Sequence, residues 1–260
     1  MQDKPLQWQG HALAHTLKKG QIDVWRIELA ASTVMLQQYH ALLDEYEKNR
    51  AAAFLDEKDR QRYMMTHGQM RQILALYLGI PAAEISIIQR PGEKPYIQHR
   101  TLLFNLSHTS GYALLAVSNT GEVGIDIEYQ RDNVKIELIA KSTFSDSERC
   151  AILSVDGAER RDRFFNCWTK KEAFIKAIGK GFSYDTKSFS VTTDAVTSSR
   201  VICFHQGDYN IRDWTILSFV PFLGTKAALA FAFELSAIHF LELRKLEIVE
   251  DDAIKKTVLL

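Results

Sequence analysis

"VGIDIEYQ", Val123 to Gln130, sets two acids into an otherwise apolar run. Val, Ile and Tyr favour extended chain, and side chains on a strand alternate between its faces. Val123, Ile125 and Ile127 therefore share one face, which reads as a core face. Gly124, Asp126 and Glu128 share the other, placing two carboxylates side by side on a strand with little water around it. Like charges that close raise each other's pKa unless a cation sits between them. The alternation predicts a strand that holds a cation; the alternative is a partly exposed strand with solvated acids.

Working outward, "QIDVWRIEL" (21–29) alternates as a strand, and residues 33 to 46 follow a helical pattern. A stronger helix runs from about Asp56 through Tyr77, with Tyr63, Met70, Ile73, Leu74 and Tyr77 recurring at three- and four-residue steps. "LGIP" ends it, through Gly79 and Pro81. Short strands follow at "ISIIQ" (85–89) and "GEKPYI" (92–97), then a hairpin in "LLFNLSHTSGYALLAVS" (102–118) that turns near Ser110-Gly111. The second half repeats the plan: a helical region from about Ser145 to Gly179 precedes strand-like stretches at 184–193, 200–206, 213–220 and 227–233. Laying "RYMMTHGQMRQILALYLG" (62–79) on "RFFNCWTKKEAFIKAIG" (163–179) matches Arg62 with Arg163 and Arg71 with Glu172.

The expected fold is α+β, with two similar pseudo-twofold-related subdomains, each a long helix packed on a small antiparallel sheet. The boundaries are 1–120 and 121–260, the second subdomain carries the acids, and the active site lies in the groove between them. A duplicated chain of this kind builds the groove as a monomer. The final "LELRKLEIVEDDAIKKTVLL" (241–260) is left as a cover for the groove or a tail.

The bulk numbers exclude several classes. The 260 residues are 46% hydrophobic and 25% charged, ordinary for a soluble globular protein. Lys plus Arg equals Asp plus Glu, which argues against a protein built to grip a nucleic-acid backbone. Cys150, Cys167 and Cys203 show no metal-ligand spacing and suit free thiols in a reducing compartment. The N-terminus lacks a signal-peptide pattern, and the apolar stretch from Thr215 to Leu235 is interrupted by Pro221, Gly224, Lys226 and Glu234. A cytoplasmic protein without a membrane span is expected.

In "RFFNCWTKKEAFIKAIGKGF" (163–182), Trp168, Glu172 and Lys176 fall at i, i+4 and i+8, on one helix face. A solvated ion pair is the commonest meaning of such a Glu/Lys spacing. Here Phe164, Phe165, Trp168, Phe174, Ile175 and Ile178 make the helix apolar around much of its circumference, so the pair should be buried and have specific partners. Were Glu172 near Asp126 and Glu128, three carboxylates would suit Mg²⁺, which keeps open positions for phosphate oxygens. Lys176 would add the ammonium that phosphoryl transfer uses. Lys94 follows a turn, and Ser107 and His108 stand where a strand meets a turn; they form a phosphate clamp or serve only turn chemistry. Arg50, Arg62 and Arg71 lie in a stretch of interleaved charges that reads as a solvated helix face, with one or two arginines available to an anion.

In this order, "GEKPYI", "FNLSHTSGYALLAVS", "VGIDIE" and "WTKKEAFIKAIGKGF" resemble the Sfp-type 4′-phosphopantetheinyl transferases over residues 50 to 191. The resemblance implies transfer of the phosphopantetheine arm of coenzyme A to a serine of an apo acyl or peptidyl carrier protein, releasing adenosine 3′,5′-bisphosphate. It implies that Asp126, Glu128 and Glu172 hold Mg²⁺ and that Lys176 contacts the transferred phosphate. Glu172 would activate the serine, and Lys94, Ser107 and His108 would bind coenzyme A, His108 at its 3′-phosphate. Arg50, Arg62 and Arg71 fall near family positions that meet nucleotide or phosphate. Two rivals remain from the residues alone, a Mg²⁺-dependent nuclease and a catalytically silent carrier-binding module. Nuclease sites of this composition tend to use Glu-x-Lys on a strand, whereas Glu172 and Lys176 are four apart on a helix.

Overall fold

Asp and Ser residues that cap helices decide where this chain breaks. The computed structural model describes residues 6–11, 16–30, 32–181, 184–194, 198–200, 203–204 and 214–243. The single helix expected over 33–46 is two, α1 (Thr33–Leu42) and α2 (Glu45–Ala52). Asp44 accepts the Glu47 N–H while the Glu47 carboxylate accepts the Asp44 N–H, a reciprocal cap that starts a new helix. Likewise the helical region after Ser145 divides into α5 (Asp146–Leu153), capped reciprocally by Ser145 and Glu148, and α6 (Gly157–Ile178). Between the acid strand and α5 lies one more helix, α4 (Ile136–Thr143).

The two long helices are built alike. α3 (Glu57–Leu78) and α6 each span 22 residues, follow Asp56 and Asp156, and end at Gly79 and Gly179 with φ of 65° and 67°. That left-handed conformation is the one glycine adopts at a helix C-terminus without a Cβ penalty. Cap-to-cap register sets Arg71 opposite Lys171, which corrects the expected match of Arg71 with Glu172. The corrected partners do the same job. Buried Arg71 bonds the Glu47 carboxylate of the α2 cap, and buried Lys171 bonds the Glu148 carboxylate of the α5 cap at 2.9 Å.

Two sheets lie between these helices. The first runs in the order β1 (Gln9–His11), β13 (Ala237–Leu243), β2 (Gln21–Glu28), β6 (Tyr112–Ser118), β5 (Leu103–Thr109). The second runs β7 (Val123–Tyr129), β12 (Thr225–Phe231), β11 (Thr215–Phe219), β9 (Ser198–Arg200). Two small pairs complete the set, β3 (Ile87–Ile88) with β4 (Tyr96–Ile97), and β8 (Phe189–Ser190) with β10 (Cys203–Phe204). The strands expected over 85–97 and 184–193 shrink to these short pieces. Within 200–206, Arg200, Cys203 and Phe204 are in strands, and the remaining positions lie outside the described residues.

Three cores stack these layers. Met70, Ile73 and Leu74 of α3 cover Trp25, Ile27, Leu115 and Val117 of the first sheet. Ile22, Val24, Leu114 and Ala116 on its other face meet Val123, Ile125, Ile127, Leu229 and Phe231 of the second. Cys167, Ala173, Phe174 and Ala177 of α6 cover Ile216, Ala228 and Ala230 behind it. The result is a mixed α+β arrangement of helix, sheet, sheet and helix. The first sheet is not the purely antiparallel one expected, because β13 runs parallel to both β1 and β2. Thus Leu241–Leu243 close a strand in the first sheet, across the expected boundary at 120, and 244–260 lie outside the described residues. No helix among the described residues is long and apolar enough to cross a membrane.

Gly124 fixes how close α6 comes to β7. A Cβ there would stand 2.0 Å from Ala173 O and 2.4 Å from Ala177 N, which are backbone atoms that cannot turn aside. Gly124→Ala should therefore push α6 outward and cost at least ~1–3 kcal/mol, the usual penalty of overpacking. Thermal denaturation should show a clearly lowered midpoint, and an unchanged midpoint would contradict this packing.

Candidate active site

β7 is the edge of its sheet, and its two faces have the characters the alternation called for. Val123, Ile125 and Ile127 are buried between the sheets, and Asp126 and Glu128 share their face with Gly124, the residue pressed on α6. Asp126 is 3% exposed. Its Oδ1 accepts hydrogen bonds from Lys176 Nζ at 2.6 Å and Ser107 Oγ at 2.9 Å. Its Oδ2 is buried and has no hydrogen-bond partner among the described residues. An ionised oxygen left so is costly, and it is the mark of a missing donor or cation.

Glu128 and Glu172 feel the same shortage of positive charge. Burial, then the Asp126 carboxylate, push Glu128 up to about 7 against the pull of Lys176 and Arg131. Burial and Asp126 also raise Glu172, again opposed by Lys176. The structure therefore brings Asp126, Glu128, Glu172 and Lys176 into one electrostatic neighbourhood. Among the described residues no three His, Cys, Asp or Glu side chains are gathered closely enough to chelate an ion as they stand. The donor set nonetheless fits a hard divalent cation, being all carboxylate with one oxygen orphaned.

Beside these acids opens a cleft of about 1330 Å³, whose wall includes Lys176. Arg50, Arg62, Lys94 and His108 all line it, as do Arg90 and Arg131, which sequence reasoning passed over. Desolvation in the cleft, then the charges of Lys176, His67 and Arg62, hold the His108 pKa below its ordinary value. Such a field favours an anion. Arg50 stacks its guanidinium over Phe54, and the Tyr63 ring stacks on His67 at 4.0 Å, so this part of the wall is aromatic as well as basic. Arg62 is held by Asp59, and Lys94 bonds both Glu122 and the Val123 carbonyl from its place in the wall.

Two expected coenzyme A residues have other employment. Arg71 is fully buried and absent from the cleft wall. Its guanidinium bonds Asp44, Glu47 and the carbonyls of Ala82 and Ile85. Ser107 is buried, and its hydroxyl is saturated: it donates to Asp126 and accepts from Lys176 Nζ and the Ile127 N–H. Sequence reasoning also missed Asn105 and Thr109. Asn105 Oδ1 accepts the Ile125 N–H and Thr109 Oγ1 the Tyr129 N–H. The signal was present, since polar residues at 105, 107 and 109 share one face of a strand.

Residues 122–232 match the family model of the 4′-phosphopantetheinyl transferase superfamily, and residues 29–120 match that of the 4′-phosphopantetheinyl transferase N-terminal region. Over 172 residues the chain is 36% identical to the 4′-phosphopantetheinyl transferase HetI of Nostoc, covering 65% of this chain and 73% of that one. The chain belongs to the 4′-phosphopantetheinyl transferase family. It is 29% identical over 156 residues to the 4′-phosphopantetheinyl transferase Sfp of Bacillus subtilis, covering 60% and 68% of the two chains. It is 30% identical over 170 residues to the L-aminoadipate-semialdehyde dehydrogenase-phosphopantetheinyl transferase of Xenopus laevis, covering 58% and 54%. Phosphopantetheinyl transferases use coenzyme A as substrate and act on carrier-protein domains. In this phosphopantetheinyl transferase the family match beginning at 122 spans the acid strand and α6, where Asp126, Glu128, Glu172 and Lys176 lie.

The employment of Arg71 predicts a separation of effects. Arg71→Met removes the guanidinium that pairs with both Asp44 and Glu47 and leaves buried Glu47 with only His67 and the Asp44 N–H as partners, which should cost up to ~3–5 kcal/mol of stability. Arg50→Met, in the cleft wall, should leave stability nearly unchanged. Denaturant titration of the two variants checks both. Burial raises the Glu47 pKa, but His67 and Arg71 outweigh it, so the carboxyl titrates below its ordinary value. Its stabilisation is thus present above the ordinary carboxylate range and lost as pH falls through the depressed value. Acid titration should show that loss in the native chain and a smaller one in Glu47→Gln.

Proposed function

We propose that the chain catalyses Mg²⁺-dependent transfer of 4′-phosphopantetheine from coenzyme A to a serine of an apo acyl or peptidyl carrier protein, releasing adenosine 3′,5′-bisphosphate. The observation that carries this reading is the orphaned Oδ2 of Asp126, beside Lys176 in the wall of a cationic cleft. Asp126, Glu128 and Glu172 would hold the cation. When bound, it would neutralise pyrophosphate oxygens and fix their orientation.

The chain's own residues supply the remaining parts. Arg50, Arg62, Lys94 and His108 receive the phosphates of coenzyme A, His108 taking the 3′-phosphate. The wall of Phe54, Tyr63 and His67 offers ring faces for adenine. Arg71 and the Ser107 hydroxyl are left out of this contact set. Glu172, its pKa raised, takes the proton from the incoming serine hydroxyl. The serine oxygen bonds to the phosphorus of the arm as the bond from that phosphorus to the bridging oxygen breaks. Lys176 steadies charge on the transferred group, and positioning does much of the remainder.

The architecture proposed with it is two related halves about a pseudo-twofold axis, meeting near residue 121, with β13 returning to the first half. The matched 22-residue helices and their equivalent buried ion pairs support that relation. The enzyme is taken as a cytoplasmic monomer that binds neither nucleic acid nor membrane.

Incubation with coenzyme A, Mg²⁺ and an apo carrier protein tests the reading. Mass spectrometry should show one phosphopantetheine added per carrier, with equimolar adenosine 3′,5′-bisphosphate, and excess EDTA should stop it. Asp126→Asn and Glu172→Gln should each lose at least ~100-fold in turnover while remaining folded. Folded Glu172→Gln with native turnover would remove Glu172 from its role.

A further inference from the structure

Among the described residues β7 pairs with β12 on one side only, and its other edge has no strand partner. There the N–H groups of Ile125, Ile127 and Tyr129 point toward β5, itself the edge of the first sheet. Buried amides must be satisfied, each at a cost of ~1–3 kcal/mol if left alone. β5 satisfies them with side chains instead of backbone carbonyls. Asn105 Oδ1 accepts from Ile125 at 2.8 Å, Ser107 Oγ from Ile127 at 3.3 Å and Thr109 Oγ1 from Tyr129 at 3.1 Å. The three bonds keep one constant sequence offset, so the two edges run side by side in a single register.

We propose that Asn105 and Thr109 are positioning residues that lock the edge of β7 facing β5, holding Asp126 and Glu128 in place beside the Lys176 wall of the cleft. They bracket Ser107, the middle rung, which also bonds Asp126 and Lys176. Lys176 Nζ reaches both Ser107 Oγ and Asp126 Oδ1 at this junction. Register matters here because the two faces of a strand alternate, and a slip of one residue would exchange the acid face for the apolar one. Both residues are only 7% exposed. The claim that their effect reaches catalysis rests on the reading of Asp126 and Glu128 as the cation-holding pair; the claim that they lock β7 does not.

The experiment uses Thr109→Val and Asn105→Leu, which remove the acceptors while keeping similar shapes, and Thr109→Ser, which keeps the hydroxyl. Amide hydrogen exchange is read on the free protein, without metal or coenzyme A. Exchange at Tyr129 in Thr109→Val and at Ile125 in Asn105→Leu should quicken about 5-fold to 150-fold, the range expected for an unmade buried bond. It should stay near native in Thr109→Ser. In transfer assays kcat should fall ~10-fold to 100-fold with KM for coenzyme A within ~3-fold, and Thr109→Ser should restore it. Native exchange rates in both acceptor-less variants would overturn the lock, and unchanged kcat would overturn its link to catalysis. A raised KM with kcat retained would make the pair substrate contacts instead. If one variant fails to fold, the other carries the test, because each rung has its own reporter amide. Failure of the native chain to transfer phosphopantetheine would sink the proposed reaction while leaving the exchange result to stand for the rungs.

Discussion

One buried carboxylate oxygen, Asp126 Oδ1, receives a proton donor from each half of the chain: Ser107 from β5 and Lys176 from α6. Burying Asp126 is expensive, and these two bonds compensate only one of its oxygens. The rest of the structure can be understood as what that arrangement requires. Gly124 lets α6 touch β7 so that Lys176 arrives at the right depth, and the apolar face of β7 is clamped between the sheets so that the strand does not yield. A site short of positive charge is thereby built into rigid elements, which is the condition for holding a cation and phosphates in fixed geometry.

Stability and function are separated by position along the long helices. Arg71 and Lys171 occupy equivalent places in α3 and α6, and each neutralises the carboxylate of a neighbouring helix cap. Five residues on from Lys171, and so on another face of α6, Lys176 instead bonds Asp126 at the cleft. Basic side chains of similar sequence context thus serve a scaffold pair in one case and the acid cluster beside the cleft in the other. What differs is the carboxylate that the packing supplies.

The elements with strong local signals were legible. The strand at 123–129, the hairpin at 102–118 and the two long helices follow from alternation, three- and four-residue spacing and terminal glycines, all of which act within a few residues. The breaks at Asp44 and Gly157 were harder, since a capping Asp in the first case and a left-handed glycine (φ 58°) in the second interrupt an otherwise helical pattern. The place of β13 was not legible at all. Nothing local tells a strand which sheet it will join, and Ala237–Leu243 lies parallel to β2, far away in sequence.

By itself the sequence determined which residue types share a face: the acids of β7, the Glu172 and Lys176 of α6, and the polar series 105, 107 and 109. Those relations are set by backbone period, which is a local property. Only the tertiary structure decided which of those faces meet. It set Lys176 against Asp126, gave the Ser107 hydroxyl to the junction and buried Arg71 beneath α2, because hydrogen-bond saturation and burial depend on elements distant along the chain.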